Sequence, residues 1–196
     1  TIPAAEEHLP ANLCPLIKST FGYHVQHSNP FMEMADLLVA ETTCDGKKKM
    51  FELMAESRPT WVLELPQKED GLEALDHWTA ELRRFKSELE RRFDVEITEE
   101  RIREAIRRMN RERALRRSLA ELMKRDSPPL TGRRLLKLKS SISGIANDLE
   151  QYEKALGELN GSAAGRPRAK GVRVLLTGVP VVEGAERVVD IIEENG

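Results

Sequence analysis

Apolar positions change rhythm twice along the chain. Through about residue 66 they come in short runs broken by turn formers. From about 69 to 160 they recur every three or four residues among many charges, and from about 170 a β-then-α rhythm returns. In the first stretch, Cys14 to Val25 predicts a short helix after a proline-bounded loop. Asp36 to Glu41 predicts a buried strand, because its apolar run lacks polar alternation. Thr42 to Gly46 predicts a tight turn, and Lys47 to Glu56 a helix with Met50, Phe51 and Met54 on one face. Thr60 to Leu65 predicts a second strand closed by Pro66. Strand, helix and strand in this order make a parallel βαβ unit, in which sites form at the carboxyl ends of the strands. Cys44 falls at that end.

The middle of the chain is predicted helical. Leu72, Leu75, Trp78, Leu82, Phe85, Leu89 and Phe93 draw one apolar stripe. A second helix starts at Thr98, a good N-cap followed by Glu99 and Glu100, with Ile97 and Ile102 spaced for a hydrophobic staple. It is expected to stop near Arg125, before Ser127-Pro128-Pro129. A third helix is expected from Arg133 to Leu159, weakened by Gly144 and Gly157. Residues 161–167 have linker composition. Val172 to Gly178 then predicts a strand, and Glu183 to Glu194 a helix. The expected fold class is α/β: residues 1–68 as the C-terminal part of a first α/β domain, 69–165 as a helical segment with linker, and 166–196 as the start of a second α/β domain. With no initial Met, and an end directly after a strand–helix pattern, the sequence reads as a fragment.

Composition narrows the field. Of the 196 residues 40% are hydrophobic and 33% charged, which suits a soluble globular chain with long exposed helices. The net charge of −2 gives no general reason to bind a polyanion. No apolar run is long enough to span a bilayer, and the first residues lack the pattern of a signal peptide. Two cysteines do not make a disulfide framework at this size, so a reducing cytoplasm is the expectation. There a cysteine is a buried thiol, a metal ligand or a nucleophile.

Cys44 is the most informative position. It lies in Glu41-Thr42-Thr43-Cys44-Asp45-Gly46-Lys47-Lys48-Lys49, where a helix dipole and three lysines favour a thiolate and Gly46 allows close backbone approach. Cys14 precedes Pro15, which suits the first position of a helix. An inert buried thiol stays open as a reading for each, and two thiols fall short of a complete metal set. His24 and His27 are candidate partners of the two cysteines in a structural zinc site, though the spacing is not specific. From Arg101 to Arg125 there are ten basic and three acidic residues. Acids on the neighbouring helices (Glu81, Glu88, Glu90, Asp148, Glu150, Glu153) and the lack of interleaved aromatics favour a solvated bundle face over a nucleic-acid surface. Contact with the phosphates of a CoA ester is a third use for these arginines. The 175–180 stretch lacks a dinucleotide or phosphate-loop fingerprint.

The segments Leu13-Cys14-Pro15-Leu16-Ile17-Lys18-Ser19, Glu41 to Met50 and Val62-Leu63-Glu64-Leu65-Pro66-Gln67 resemble the 2-hydroxyacyl-CoA dehydratase D-component family. Asn110-Arg111-Glu112-Arg113 and Leu175-Leu176-Thr177-Gly178 support the likeness. The resemblance covers essentially the whole chain, with the Cys44 segment the most specific. It implies two Rossmann-like α/β domains and a 4Fe–4S cluster held by three cysteines of one subunit. Cys14 and Cys44 are two of these by resemblance, with the third expected in the next domain. It further implies an acyl-CoA substrate, an ATP-hydrolysing iron–sulfur activator that delivers one electron, and a second homologous subunit. The implied reaction removes water from a 2-hydroxyacyl-CoA through a ketyl radical. Some relatives carry a further cysteine where this chain has Asn29. These include double-cubane proteins that act as ATP-driven low-potential reductases, the alternative on this fold. Asn29 cannot replace a thiolate, which favours a single cluster.

Overall fold

The computed structural model describes residues 1–139, 145–162, 171–178, 181 and 186–195. The chain divides into two compact units, Thr1–Ile97 and Thr98–Gly196. It is mostly helical, with one small parallel sheet among the described residues.

The first unit holds α1 (Ile2–Glu6), α2 (Pro15–Val25), α3 (Pro30–Met34), β1 (Leu38–Glu41), α4 (Asp45–Ala55), β2 (Thr60–Leu63) and α5 (Leu72–Phe93). Pro15 and Pro30 stand in the first turns of α2 and α3, where a missing N–H costs nothing. Strands β1 and β2 pair in parallel, Leu38 opposite Thr60 through Glu41 opposite Leu63, and α4 makes the crossover. This is the expected βαβ unit, with strands two residues shorter at an end than the apolar runs suggest.

Its core is Ala5, Leu9, Ile17, Phe21, Met50 and Met54, so α1, α2 and α4 meet on one apolar centre. The expected Met50 and Met54 face of α4 is the buried one. Gly22 permits the close approach of α1 to α2. A Cβ there would stand 2.1 Å from the Thr1 carbonyl oxygen, and backbone cannot yield as a side chain can. Helix α5 packs on β2, with the Trp61 and Phe85 ring centroids 6.1 Å apart. It ends at Asp94, whose left-handed φ of 50° turns the chain out of the helix.

The second unit holds α6 (Glu99–Leu122), α7 (Gly132–Lys139), α8 (Ala146–Ser162) and α9 (Arg187–Glu194). Leu119, Leu122, Leu130 and Tyr152 form its core, and the Tyr152 hydroxyl donates to the Leu138 carbonyl at 3.0 Å. Thr98 caps α6 as expected, accepting the Arg101 N–H at 3.3 Å. At the other end of α6, the Arg173 guanidinium donates to the carbonyls of Met123, Lys124 and Arg125.

Four sequence expectations change here. The single helix expected over 133–159 is two helices, α7 and α8; Gly144 lies outside the described residues. Gly161 and Ser162 end α8 rather than opening a linker, and the rest of that linker is also outside the described residues. Residues 171–178 form no strand. Val172 is 81% and Leu175 85% exposed, and an apolar run becomes a strand only beside a neighbour that takes its hydrogen bonds. Of the helix expected from Glu183, α9 begins at Arg187, with 182–185 outside the described residues.

Candidate functional site

Both cysteines stand at helix starts. Cys14 is the N-cap of α2 and Cys44 the N-cap of α4, and both are free and exposed. The Cys14 carbonyl accepts the Lys18 N–H at 3.1 Å, and the Cys44 carbonyl accepts the Lys48 N–H at 3.0 Å, so each begins its helix regularly. Neither side chain caps its own helix. The first amides of each helix therefore face outward beside a thiol, apart from the N–H that Pro15 lacks.

The two helix starts lie against each other. Gly46, two residues after Cys44, is so close to α2 that a Cβ would stand 2.8 Å from both Leu13 Cδ1 and Ile17 Cδ1. Leu13 directly precedes Cys14, so the chain segments carrying the two thiols are in contact. By sequence Gly46 is expected to admit a group held by Cys44; here the space it leaves is taken by these two side chains.

Each segment is tied down separately. Lys18, 6% exposed, donates to Glu6 Oε1 at 2.5 Å and to the Ala11 carbonyl at 2.6 Å, fastening the loop that leads into Cys14. Beyond β1, Thr42 donates its N–H to the Leu63 carbonyl at 3.1 Å and accepts the Leu65 N–H on Oγ1 at 2.9 Å. These bonds set the Cys44 turn at the carboxyl edge of the sheet, where α/β folds form their sites.

The charge around Cys44 differs from the expectation. Lys47 pairs with Glu41 at 3.9 Å, Lys48 with Asp45 at 3.4 Å and Lys49 with Glu52 at 3.0 Å. Carboxylates therefore balance the three lysines, and the positive field is that of the helix start. Glu41, at the end of β1, is engaged with Lys47.

The histidines do not assemble with the cysteines. His24 is buried beside Phe21, and its Nε2 stands 3.1 Å from Ser57 Oγ. Burial holds its pKa below the ordinary histidine value; Arg58 and His27 add to this and Glu33 opposes it. His27 sits 3.3 Å from the Glu33 carboxylate, which Arg58 also grips. The zinc reading of Cys14, His24, His27 and Cys44 thus loses both histidines to other partners. His8 stacks edge-on against Phe21 at 5.8 Å.

Asn29 has work of its own. Its Oδ1 accepts the N–H groups of Phe31 and Met32 at 3.0 and 3.4 Å, which makes it the N-cap of α3. Of the acids expected to meet the arginines of α6, Glu153 does so, and other α6 arginines pair within their own helix. Arg111 pairs with Glu153 of α8, Arg107 with Glu100, and Arg116 lies 3.5 Å from buried Glu112. Glu81, Glu88 and Glu90 instead find their cations within α5.

A further group, not singled out as a site by the sequence pattern, is Glu64, His77 and Glu81. One donor atom of each lies within 4.8 Å of the others. Glu64 directly follows β2, while His77 and Glu81 are one turn apart on α5. The i, i+4 spacing of a histidine and a glutamate, following an acidic residue at a strand end, was the signal available.

A family model described as 2-hydroxyglutaryl-CoA dehydratase, D-component, matches residues 1–196, and the chain belongs to that family. It is 41% identical over 206 aligned residues to "Putative dehydratase subunit YjiM" of Escherichia coli (strain K12). That alignment covers all of this chain and 52% of the relative, so the chain spans about half the length of the curated protein it matches. Among the described residues, no helix is long and apolar enough to cross a membrane.

Proposed function

We propose that this chain is part of the iron–sulfur subunit of a 2-hydroxyacyl-CoA dehydratase, with Cys14 and Cys44 as two thiolate ligands of a 4Fe–4S cluster. The observation that carries this reading is the contact of two helix starts at Gly46, each presenting an exposed, uncapping thiol, in a chain of the dehydratase family. The donor set fits such a cluster. Two free thiols are available, and outward amides at both helix starts suit anionic sulfur. A third cysteine ligand comes, on this reading, from outside these residues.

A bound cluster would supply one electron to the acyl thioester, giving a ketyl radical, and take it back once the 2-hydroxyl and a β-proton have left as water. The residues of this chain hold and orient it. Lys18 fixes the approach to Cys14, and Thr42 fixes the turn that carries Cys44. An ATP-dependent iron–sulfur activator, a homologous second subunit and an acyl-CoA substrate complete the proposed system, in the cytoplasm. The βαβ unit belongs to a Rossmann-like domain on this reading. Residues 166–196 open a second one, also on this reading. Asn29, occupied as a helix cap, supports one cluster over the double-cubane alternative.

The test is anaerobic reconstitution of the full-length chain with iron and sulfide, followed by iron counting, absorption and EPR. About four irons per chain are expected, against about eight for a double cubane. Cys44→Ser is expected to lose most of the cluster absorption. A Cys44→Ser chain that keeps a full cluster overturns the proposal.

A further inference from the structure

In the cluster of Glu64, His77 and Glu81, one carboxylate oxygen of Glu81 and Nε2 of His77 already serve the main chain. Glu81 is 2% exposed. One of its carboxylate oxygens accepts the Glu64 N–H at 3.2 Å, and the other faces the Arg84 guanidinium. His77 Nε2 stands 3.0 Å from the Glu64 carbonyl oxygen. A carbonyl only accepts, so Nε2 carries the proton and has no lone pair to give a cation. Helix α5 therefore grips the main chain of Glu64 from both sides, by its amide and by its carbonyl.

The grip passes onward through main-chain bonds. Leu65, next in the chain, donates its N–H to Thr42 Oγ1, and Thr42 returns its own N–H to the Leu63 carbonyl. Thr42 stands two residues before Cys44. A buried carboxylate is costly unless its bonds are well made, and an apolar residue would serve packing of α5 alone. Here the main-chain bond of Glu81 ends on Glu64, next to Leu65, whose N–H is held by Thr42 of the Cys44 turn.

We propose that Glu81 is a positioning residue for the Cys44 turn. With His77 it fixes Glu64, and through the Leu65–Thr42 bond it fixes how Cys44 is presented. This rests on Cys44 being a cluster ligand, and the test separates the two ideas.

Glu81→Gln, Glu81→Ala and Thr42→Val are made in the full-length chain. The first readout is amide hydrogen exchange, which needs no cluster. In Glu81→Ala and Thr42→Val, exchange over residues 42–46 and 64–65 is expected to rise about fivefold, the effect of losing one buried hydrogen bond, with Phe21 unchanged. Glu81→Gln keeps an acceptor for the Glu64 N–H and is expected to match the parent. The second readout is iron release to a chelator after anaerobic loading, faster in Glu81→Ala and unchanged in Glu81→Gln. Uniform acceleration across the chain, an unmoved turn, a Gln variant as impaired as Ala, or iron release indifferent to Glu81→Ala each overturns the proposal. Binding of Zn²⁺ or Mn²⁺ that His77→Ala abolishes also overturns it, in favour of a metal centre. A parent chain that takes up no iron sinks the ligand role of Cys44, and the exchange readout then decides the brace by itself.

Discussion

Gly46 illustrates how one position serves two purposes. Its missing side chain lets α4 rest on Leu13 and Ile17, but the atoms a Cβ would meet are tips of flexible side chains. Gly46→Ala adds a methyl the tips can yield to and gains about 1 kcal/mol of helix propensity, so its unfolding midpoint is expected to stay near the parent's. Gly46→Val is expected to cost about 1–3 kcal/mol by overpacking, read by urea unfolding, and to slow iron uptake. His24 sets a pH limit. Its depressed folded pKa means the unfolded chain binds more protons as pH falls below the ordinary value of 6.5. Stability is then full above that value and lost as pH falls through it toward the folded pKa. Thermal midpoints are expected to drop between about pH 7.5 and 5.5, and His24→Gln to flatten the drop. The Glu33 carboxyl, held low by the Arg58 hydrogen bond, acts below that window. At this scale the helix starts beside the two cysteines were legible from Pro15 and from the turn signal at Thr42 to Gly46, although α4 begins at Asp45 rather than at the expected Lys47. The role of Glu81 was hidden, because its partners are main-chain groups and a cation that no side-chain pattern singles out.

Elements were legible where periodicity and punctuation agreed. Helices α5 and α6 fall within a few residues of expectation, since each has a long apolar stripe or a Thr cap and a clear stop. The third helix did not survive as one piece. The apolar repeat runs through its glycines, and periodicity alone does not register a break. Besides the leucines that α7 and α8 share in one core, a contact invisible to such patterns links them, the Tyr152 hydroxyl on the Leu138 carbonyl. Burial raises the Tyr152 pKa, so the hydroxyl stays protonated as a donor across the ordinary range. Tyr152→Phe leaves that carbonyl without its partner and is expected to cost about 1–2 kcal/mol, measured by urea unfolding. The run at 172–178 was misjudged for a different reason. Strand formation depends on neighbours, and local sequence carries no record of them.

Across the whole molecule, 31 basic and 33 acidic side chains nearly cancel, and many of them meet on the same helix or across one unit. That balance was legible from composition, as was the alternation of apolar runs behind each unit's core. The parallel sheet carries a consequence of its own. With only β1 and β2 aligned among the described residues, each strand keeps one flank of amides and carbonyls unanswered, and Val39 is 49% and Val62 39% exposed. Such a flank is a template for foreign backbone. Expressed by itself, this 196-residue stretch is expected to self-associate as its concentration rises, visible by sedimentation velocity, and a lysine at Val39 is expected to suppress it.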